Sequence, residues 1–331
     1  MPEAAVATLH YSIVPPGDAA HTAEDSALLD LLRLLRDKGY QFVTPTPATH
    51  ARVVARPDRR LARSLIDVLG WSRPYLRGTL GRDVEALLRR AGVLLDDGAA
   101  PRSRVRVSSL QGDLFLHSAF PTDAPDAVFF GPDSYRFADL IRAELTDRPP
   151  RADARIVDIG TGSGVGAIVA ARACPDARLQ MTDVNPAALR LARVNAAAAD
   201  VAAEAFESAT LEPIRGEIDV VTANPPFIID AQSRLYRDGG GMHGGQVSLD
   251  MARMGLDRLA PGGRLILYTG SAIVDGDDGL RRALVRETYS RDFDLRYREL
   301  DPDIFGEELE TDAYRDVDRI ALVAAIITRP G

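Results

Sequence analysis

The chain has 331 residues, enough at ~100–200 residues per domain for two domains. Hydrophobic residues make up 46% and charged residues 27%, the balance of a globular protein able to bury a core. Forty Lys and Arg against 48 Asp and Glu give a formal charge of −8, which speaks against a general polyanion binder and leaves room only for a local basic patch.

The opening MPEAAVATLHYSIVPPG has no basic stretch leading into an apolar one, so no signal peptide is expected. No apolar run in the chain approaches the ~20 residues of a membrane span, so no membrane partner is expected. Residues 22–38 place Leu28, Leu31, Leu32 and Leu35 on one face of a helix that Gly39 stops. Residues 59–70 and 81–92 read as two further helices, each closed by glycine. RVRVSSLQGDLFLHS alternates in two arms about Gln111-Gly112-Asp113 and predicts a β-hairpin. These elements form a mostly helical accessory domain over residues 1–120, expected to recognise substrate. Arg52, Arg56, Arg59, Arg60 and Arg63 cluster there, with Arg102, Arg104 and Arg106 on the first hairpin arm. They form either a solvated face threaded with Asp58, Asp67 and Asp83, or a patch that docks RNA or an acidic partner.

From about residue 150, after the connector TDRPPRAD, short apolar runs alternate with helical stretches: ARIVDIG, GVGAIVAARAC, RLQMTDV, PAALRLARVNAAAA, IDVVTANPP, QVSLDMARMGLDRL, GRLILYTG. That alternation implies right-handed crossovers and an α/β fold with a doubly wound, mostly parallel sheet. DFDLRYREL and RIALVAAIITRP follow with no helix between them and predict an antiparallel pair at the edge. Cys174, the lone cysteine, forbids an intrachain disulfide and fits a reducing cytoplasm.

Gly160, Gly162 and Gly164 lie between the first strand and its helix in the pattern G-x-G-x-G, where glycines allow a sharp turn and close approach of a ligand. The dinucleotide fingerprint needs a sixth-position glycine, and Val165 stands there. Asp183 ends the second strand, where a carboxylate can accept both hydroxyls of a ribose. Asp158 sits at the end of the first strand, where it can either order the glycine loop or reach a ligand's ammonium group. Helix capping is the alternative role for both. At TANPPF, residues 222–227, the two prolines must end the next apolar strand because they cannot donate to a sheet ladder.

VDIGTGSGVGAI, TDVNPAALRLARVNA and IDVVTANPPFI resemble the nucleotide-binding motifs of class I S-adenosylmethionine-dependent methyltransferases, over roughly residues 125–330. More narrowly they resemble the N-P-P-[YF] branch, which methylates planar nitrogens: protein-glutamine N5-methyltransferases acting on peptide release factors, and adenine-N6 and guanine-N2 methyltransferases acting on nucleic acid. The resemblance implies a Rossmann-like, seven-stranded methyltransferase domain over residues 121–331. It implies S-adenosyl-L-methionine as cofactor, S-adenosyl-L-homocysteine as product, and no metal. Cofactor contacts are then expected from Asp158, Gly160, Thr161, Gly162, Ser163, Gly164, Asp183, Val184, Asn185 and Asn224. VFFGPDSYRFADLI resembles the segment that covers the cofactor's methionine end, with Phe130, Asp133, Ser134 and Tyr135 lining the site. After the third strand an acidic residue often meets adenine; ESATLEPI offers Glu207, Ser208, Ala209 and Thr210 instead.

An amide or exocyclic amine is a poor nucleophile because its lone pair is delocalised. The side chain of Asn224 and the carbonyl of Pro225 can each accept one N–H of an NH2 group, and proline rigidity aims that carbonyl. Pro226 completes the corner, and Phe227 offers a face for a planar group. LYRDGGGMHGGQ, with five glycines, is expected to be mobile and to serve as a lid or a substrate-reading segment. Tyr236, Arg237 and His243 in it are candidate substrate contacts, and Glu307 and Glu308 are expected at the same rim. A protein glutamine is the first expected substrate, an RNA base the alternative, and a small molecule of specialised metabolism the third. A non-catalytic binding module and a dinucleotide oxidoreductase are weaker readings, opposed respectively by the intact Asn224-Pro225-Pro226-Phe227 and by Val165.

Overall fold

The structure is a computed structural model describing residues 22–96 and 100–331; the opening MPEAAVATLHYSIVPPG lies outside the described residues. Helix α1 (Ala23–Asp37) begins where Thr22 Oγ1 accepts the Asp25 N–H at 3.1 Å, and Glu24 and Asp25 complement the helix dipole. Its leucines 28, 31, 32 and 35 are buried, as the periodicity predicts. Helix α2 (Pro47–Val54) falls where no helix was expected; Thr46 caps it and Pro47 occupies its first turn.

The single helix expected over 59–70 is instead a 3-10 turn at Pro57–Arg59 and a short helix, α3 (Leu65–Leu69). Ser64 accepts the Asp67 N–H, while Asp67 Oδ2 accepts the Arg63 N–H at 3.0 Å. This side-chain cap competes with a continuous backbone ladder and restarts the helix after Arg63. Helix α4 (Arg82–Arg90) lies within the expected 81–92.

A two-residue ribbon, β1 (Leu94–Leu95) with β2 (Arg102–Ser103), precedes the hairpin β3 (Val105–Leu110) and β4 (Asp113–Ser118). The hairpin turns through Gln111 (φ 50°) and Gly112 (φ 94°), the paired positive angles that match strand twist.

Helix α5 (Pro132–Asp147) leads into the sheet. β5 (Arg155–Ile159), α6 (Val165–Ala173), β6 (Arg178–Asp183), α7 (Pro186–Ala198), β7 (Ala203–Glu207), β8 (Ile218–Ala223), α8 (Gln246–Leu256) and β9 (Leu259–Val274) alternate as predicted. A two-residue strand, β10 (Asp277–Asp278), folds back on β9 before α9 (Gly279–Arg291), β11 (Asp294–Asp301) and β12 (Arg319–Thr328). The seven long strands lie in the order β11-β12-β9-β8-β5-β6-β7. β5 to β9 are parallel, and β12 and β11 add antiparallel pairs. The sheet is therefore doubly wound and mostly parallel. Only β11 of the final pair is an edge, with alternating exposure; β12, between β9 and β11, is buried from Ile320 to Ile327.

One core runs from α1 and α4 through the hairpin into α7, whose Ala188, Leu191, Val194 and Ala198 belong to it. Asn195 on α7 joins three segments. Its Oδ1 accepts the Leu116 N–H at 2.8 Å, and its Nδ2 donates to Leu116 O at 3.0 Å and Ser163 O at 2.9 Å. The amide thus satisfies a backbone donor and acceptor of β4 that a buried strand edge cannot leave unpaired. Asn195→Leu keeps the volume and removes all three bonds. It should lower unfolding free energy by about 2–4 kcal/mol; an unchanged urea midpoint would exclude this role.

Candidate active site

The strand order reverses around β5, with β6 on one side and β8 on the other, and such a switch opens a crevice at the carboxyl edge of a parallel sheet. The loops after β5, β6, β7 and β8 converge there on one cavity of about 650 Å³. Gly160, Thr161, Gly162 and Ser163 line it from the first loop, and Asp183, Val184 and Asn185 from the second. Ser208 and Ala209 line it from the third, and Asn224 to Phe227 from the fourth. Phe129, Asp133, Ser134 and Phe137 close one side, and Pro47 reaches it from α2.

Asp158 does not line this cavity, contrary to its expected contact with cofactor. Its carboxylate is buried and fully engaged inside the protein. Oδ2 accepts from Thr161 Oγ1 at 2.6 Å and from the Ala167 N–H at 3.2 Å, and Oδ1 accepts from Thr222 Oγ1 at 2.7 Å. It orders the glycine loop, the other role open to it. Burial pushes its pKa up to about 6, against the opposing effect of those three donors.

Gly164 is also displaced from the ligand side. With φ at 86° it caps α6, and a Cβ there would come 3.3 Å from Ala192 of α7. Its smallness serves helix packing. Gly160 and Gly162 remain in the cavity with φ of 63° and 54°, angles that disfavour any other residue.

Asp183 accepts the Gly162 N–H on Oδ2 at 2.8 Å and the Asn185 N–H on Oδ1 at 2.9 Å. Each oxygen keeps a second lone pair for a hydroxyl. Burial raises its pKa. Beside it Val184 is 47% exposed, an apolar side chain on the cavity wall suited to the flat face of a base. Asn185 caps α7 through Oδ1 and donates Nδ2 to Asp126 O at 2.9 Å, so its amide serves the fold. Glu207 lies outside the lining, and Ser208 and Ala209 stand where adenine was expected.

In the segment before α5 the parity is reversed. Phe129 faces the cavity, while Phe130 is buried against Phe115 and stacked on His117. Tyr135, expected at the cofactor, faces away; its hydroxyl accepts the Thr44 N–H of the accessory region at 2.9 Å. Asp133 is in the wall, buried, accepting from Tyr268 Oη at 2.9 Å, and burial raises its pKa.

Asn224 and Pro225 line the cavity, and among the described residues no donor occupies the Asn224 amide oxygen or the Pro225 carbonyl. Phe227 lies 8% exposed, wedged so closely over Gly270 that a Cβ there would sit 2.3 Å from its ring. Phe305 meets it edge to face at 5.7 Å.

Tyr236 and Arg237 line the cavity as expected. Tyr236 stacks on Phe129 at 5.6 Å and donates to Thr122 O at 2.8 Å. Arg237 is paired with Glu308 and lies 3.7 Å from Asp230. His243 is not in the site; its Nε2 meets Asp316 at 3.2 Å on the outer side of the loop. The five-glycine loop is no loose lid. A Cβ on Gly239 would lie 2.0 Å from Gly244 O, and one on Gly244 would lie 2.3 Å from Phe227 O. These glycines permit backbone-on-backbone packing behind the Pro-Pro-Phe corner. Leu235, Met251, Met254 and Phe305 also line the cavity and carried no sequence signal beyond their hydrophobicity.

The cavity fits S-adenosylmethionine in its donor set: two positive-φ glycines, a buried carboxylate with lone pairs to spare, and an exposed apolar wall beside it. Among the described residues no cluster of His, Cys, Asp or Glu is arranged to hold a metal, and no helix is long and apolar enough to cross a membrane.

Residues 138–272 match the family described as "Methyltransferase small domain". A release factor glutamine methyltransferase of Deinococcus radiodurans is 29% identical over 291 residues, 85% of this chain and 96% of that protein. The protein of the same description from Moorella thermoacetica is 36% identical over 150 residues, 40% of this chain and 51% of its own length. A ribosomal RNA small subunit methyltransferase C of Escherichia coli is 33% identical over 98 residues, 30% of this chain and 28% of its length. The chain thus spans nearly all of the first relative, about half of the second and less of the third.

The raised pKa of Asp158 has a stability consequence with a defined sign. Below about pH 4 the carboxyl is protonated in both folded and unfolded chains. Between about 4 and 6 the folded form holds a proton that the unfolded form releases, so stability falls as pH rises through this window, by up to about 3 kcal/mol. Asp158→Asn removes that group's contribution. Urea midpoints from pH 4 to 8 should fall more steeply in the parent than in the variant; parallel slopes would show that Asp158 titrates normally.

Proposed function

From the premise that this chain is a class I S-adenosylmethionine-dependent methyltransferase carrying a methyltransferase small domain, we propose that it methylates the side-chain amide nitrogen of a protein glutamine. The observation that carries the reading is the pair of unengaged acceptors, Asn224 and Pro225, set at the carboxyl end of β8 in the cavity that Asp183 also faces. The Deinococcus relative, named a release factor glutamine methyltransferase and matched over 96% of its length, supports glutamine and makes a translation factor the kind of partner to try first. Cys174, alone in the sequence, suits a reducing cytoplasmic setting.

S-adenosylmethionine, when bound, supplies an electrophilic methyl carbon on a sulfonium leaving group. Asp183 would hold the ribose hydroxyls and Val184 the base, with the backbone of Gly160 to Gly162 against the remainder. Asn224 Oδ1 and Pro225 O would each accept one N–H of the substrate amide. That fixes its plane and turns the nitrogen toward the sulfonium side of the cavity. As positive charge develops on the nitrogen both bonds strengthen, so the acceptors stabilise the transition state more than the ground state. Phe227, held by Gly270 and Phe305, braces the corner and gives the amide an apolar neighbour.

A second reading, the exocyclic amine of an RNA base, draws on the exposed Arg52, Arg56 and Arg60, which have no carboxylate partner among the described residues. Arg106, expected in that cluster, is 3% exposed; it donates to His50 Nδ1 and Ser118 O, so it contributes nothing to the patch. Methyl-labelled cofactor incubated with a cell extract separates the readings. Label in protein, released as methylamine on acid hydrolysis, fits an amide nitrogen. Label in RNA supports the second reading, and label in small molecules overturns both.

Asn224→Ala and Asp183→Ala should divide binding from turnover. The first should leave cofactor affinity by calorimetry nearly unchanged while turnover falls by about a hundredfold or more, the scale for an oriented polar contact. The second should weaken cofactor binding. The opposite pattern would reverse the two assignments.

A further inference from the structure

A second cavity, of about 590 Å³, lies between the β1–β2 ribbon, the hairpin end and α7. Ala127 and Val128, 4% and 2% exposed, line both this cavity and the catalytic one, so one buried segment of chain borders the two. Arg102, Ser103 and Arg104 all line it; Ser103 is 2% exposed, while the two arginines are exposed. Among the described residues neither arginine has a carboxylate partner. Arg190, on the opposite wall, is already neutralised by Asp25 at 2.5 Å and Glu24 at 3.1 Å. Half-buried Phe120 adds an apolar surface, and exposed Asp126 adds one negative charge.

We infer that this groove seats a segment of the protein substrate in extended form, with acidic side chains two residues apart meeting Arg102 and Arg104. The inference rests on the protein-substrate reading above. In an extended strand, residues i and i+2 lie on one face about 6.5 Å apart, which matches the two-residue spacing of the exposed Arg102 and Arg104 in the sequence. Arginine forks match carboxylates in bidentate geometry. Asp126 disfavours a phosphate backbone, which would bring negative charge at every step, and tolerates a peptide in which acidic and neutral residues alternate.

The test uses the full chain and fluorescent 15-residue peptides with one central glutamine. An Asp-x-Asp pair is moved from two to seven residues away on either side, and Asn-x-Asn peptides serve as controls. At least one Asp-x-Asp register should bind more tightly than its control by anisotropy, and added salt should weaken it. In Arg102→Gln/Arg104→Gln that preference should fall by about two- to thirtyfold, the sum expected of two exposed ion pairs. Calorimetric cofactor binding should be unchanged, which shows that the variant is folded. If no register is preferred, or the preference survives in the variant, the groove assignment is wrong. Displacement by a uridine 15-mer with no preference among peptides overturns it in favour of RNA. Methyl transfer to glutamine is scored separately. Transfer without an acidic preference defeats this inference and spares the glutamine reading, while Arg-dependent binding without transfer does the reverse.

Discussion

The Asp158 carboxylate is the point on which the site depends. Three elements meet on it: the glycine loop through Thr161, the first turn of α6 through Ala167, and β8 through Thr222. Asp158 and Thr222 are register partners in adjacent parallel strands, and Thr222 stands two residues before Asn224. The loop that would hold cofactor and the corner that would hold substrate are thereby referenced to one buried group. Ionising a carboxylate away from water is costly, and its three donors offset that cost. The arrangement persists because removing any donor leaves the others around an under-satisfied charge. Space is equally constrained: a Cβ on Gly166 would come 2.1 Å from Asp158 Oδ1, so the first turn of α6 closes directly over the carboxyl group.

The same corner is clamped from outside. Gly239 N–H donates to Ile228 O, Ile228 N–H to Arg237 O, and Tyr314 Oη accepts the Ile229 N–H at 2.8 Å. Gly244 packs against the Phe227 carbonyl. Arg234 and Arg237 gather on Asp230, whose pKa is lowered chiefly by its hydrogen bonds from Arg234. A planar nitrogen gains from its two acceptors only when their positions are fixed beforehand. The inner carboxylate and the outer glycine packing supply that fixity from opposite sides of one short segment.

Much of this was legible in the sequence because it is local. Strands alternating with helices set the sheet, and a ligand-binding loop follows the end of each parallel strand, so Gly160, Asp183 and Asn224 could be placed on one edge without coordinates. Direction was harder to read. Phe129 and Phe130 are equivalent as letters, yet neighbours in an extended segment point to opposite sides, and the wrong one was expected at the cavity. Asp158 and Tyr135 had the right chemistry for ligand contact and turned inward instead. Glycine was ambiguous for a different reason: it permits both freedom of motion and close approach, and residues 239–245 use the second. Helix α2 carried its cap and proline openly, but eight residues leave too little periodicity to register.

The accessory region is joined to the catalytic sheet through α7 rather than through a linker. That helix begins at Asn185 in the cavity wall, contributes Ala188, Leu191 and Val194 to the accessory core, and through Asn195 holds both β4 and the Ser163 carbonyl of the glycine loop. A rotation of the hairpin would therefore disturb the cofactor loop as well as the groove beside it. Independent domain motion is the ordinary expectation only where an interface is small and polar. Here a continuous apolar core and a fully paired buried amide cross the boundary, so the distance from the groove to the acceptor corner is set by packed backbone. A protein substrate that engaged both the groove and the acceptor corner would then have only a narrow choice of which residue reaches Asn224.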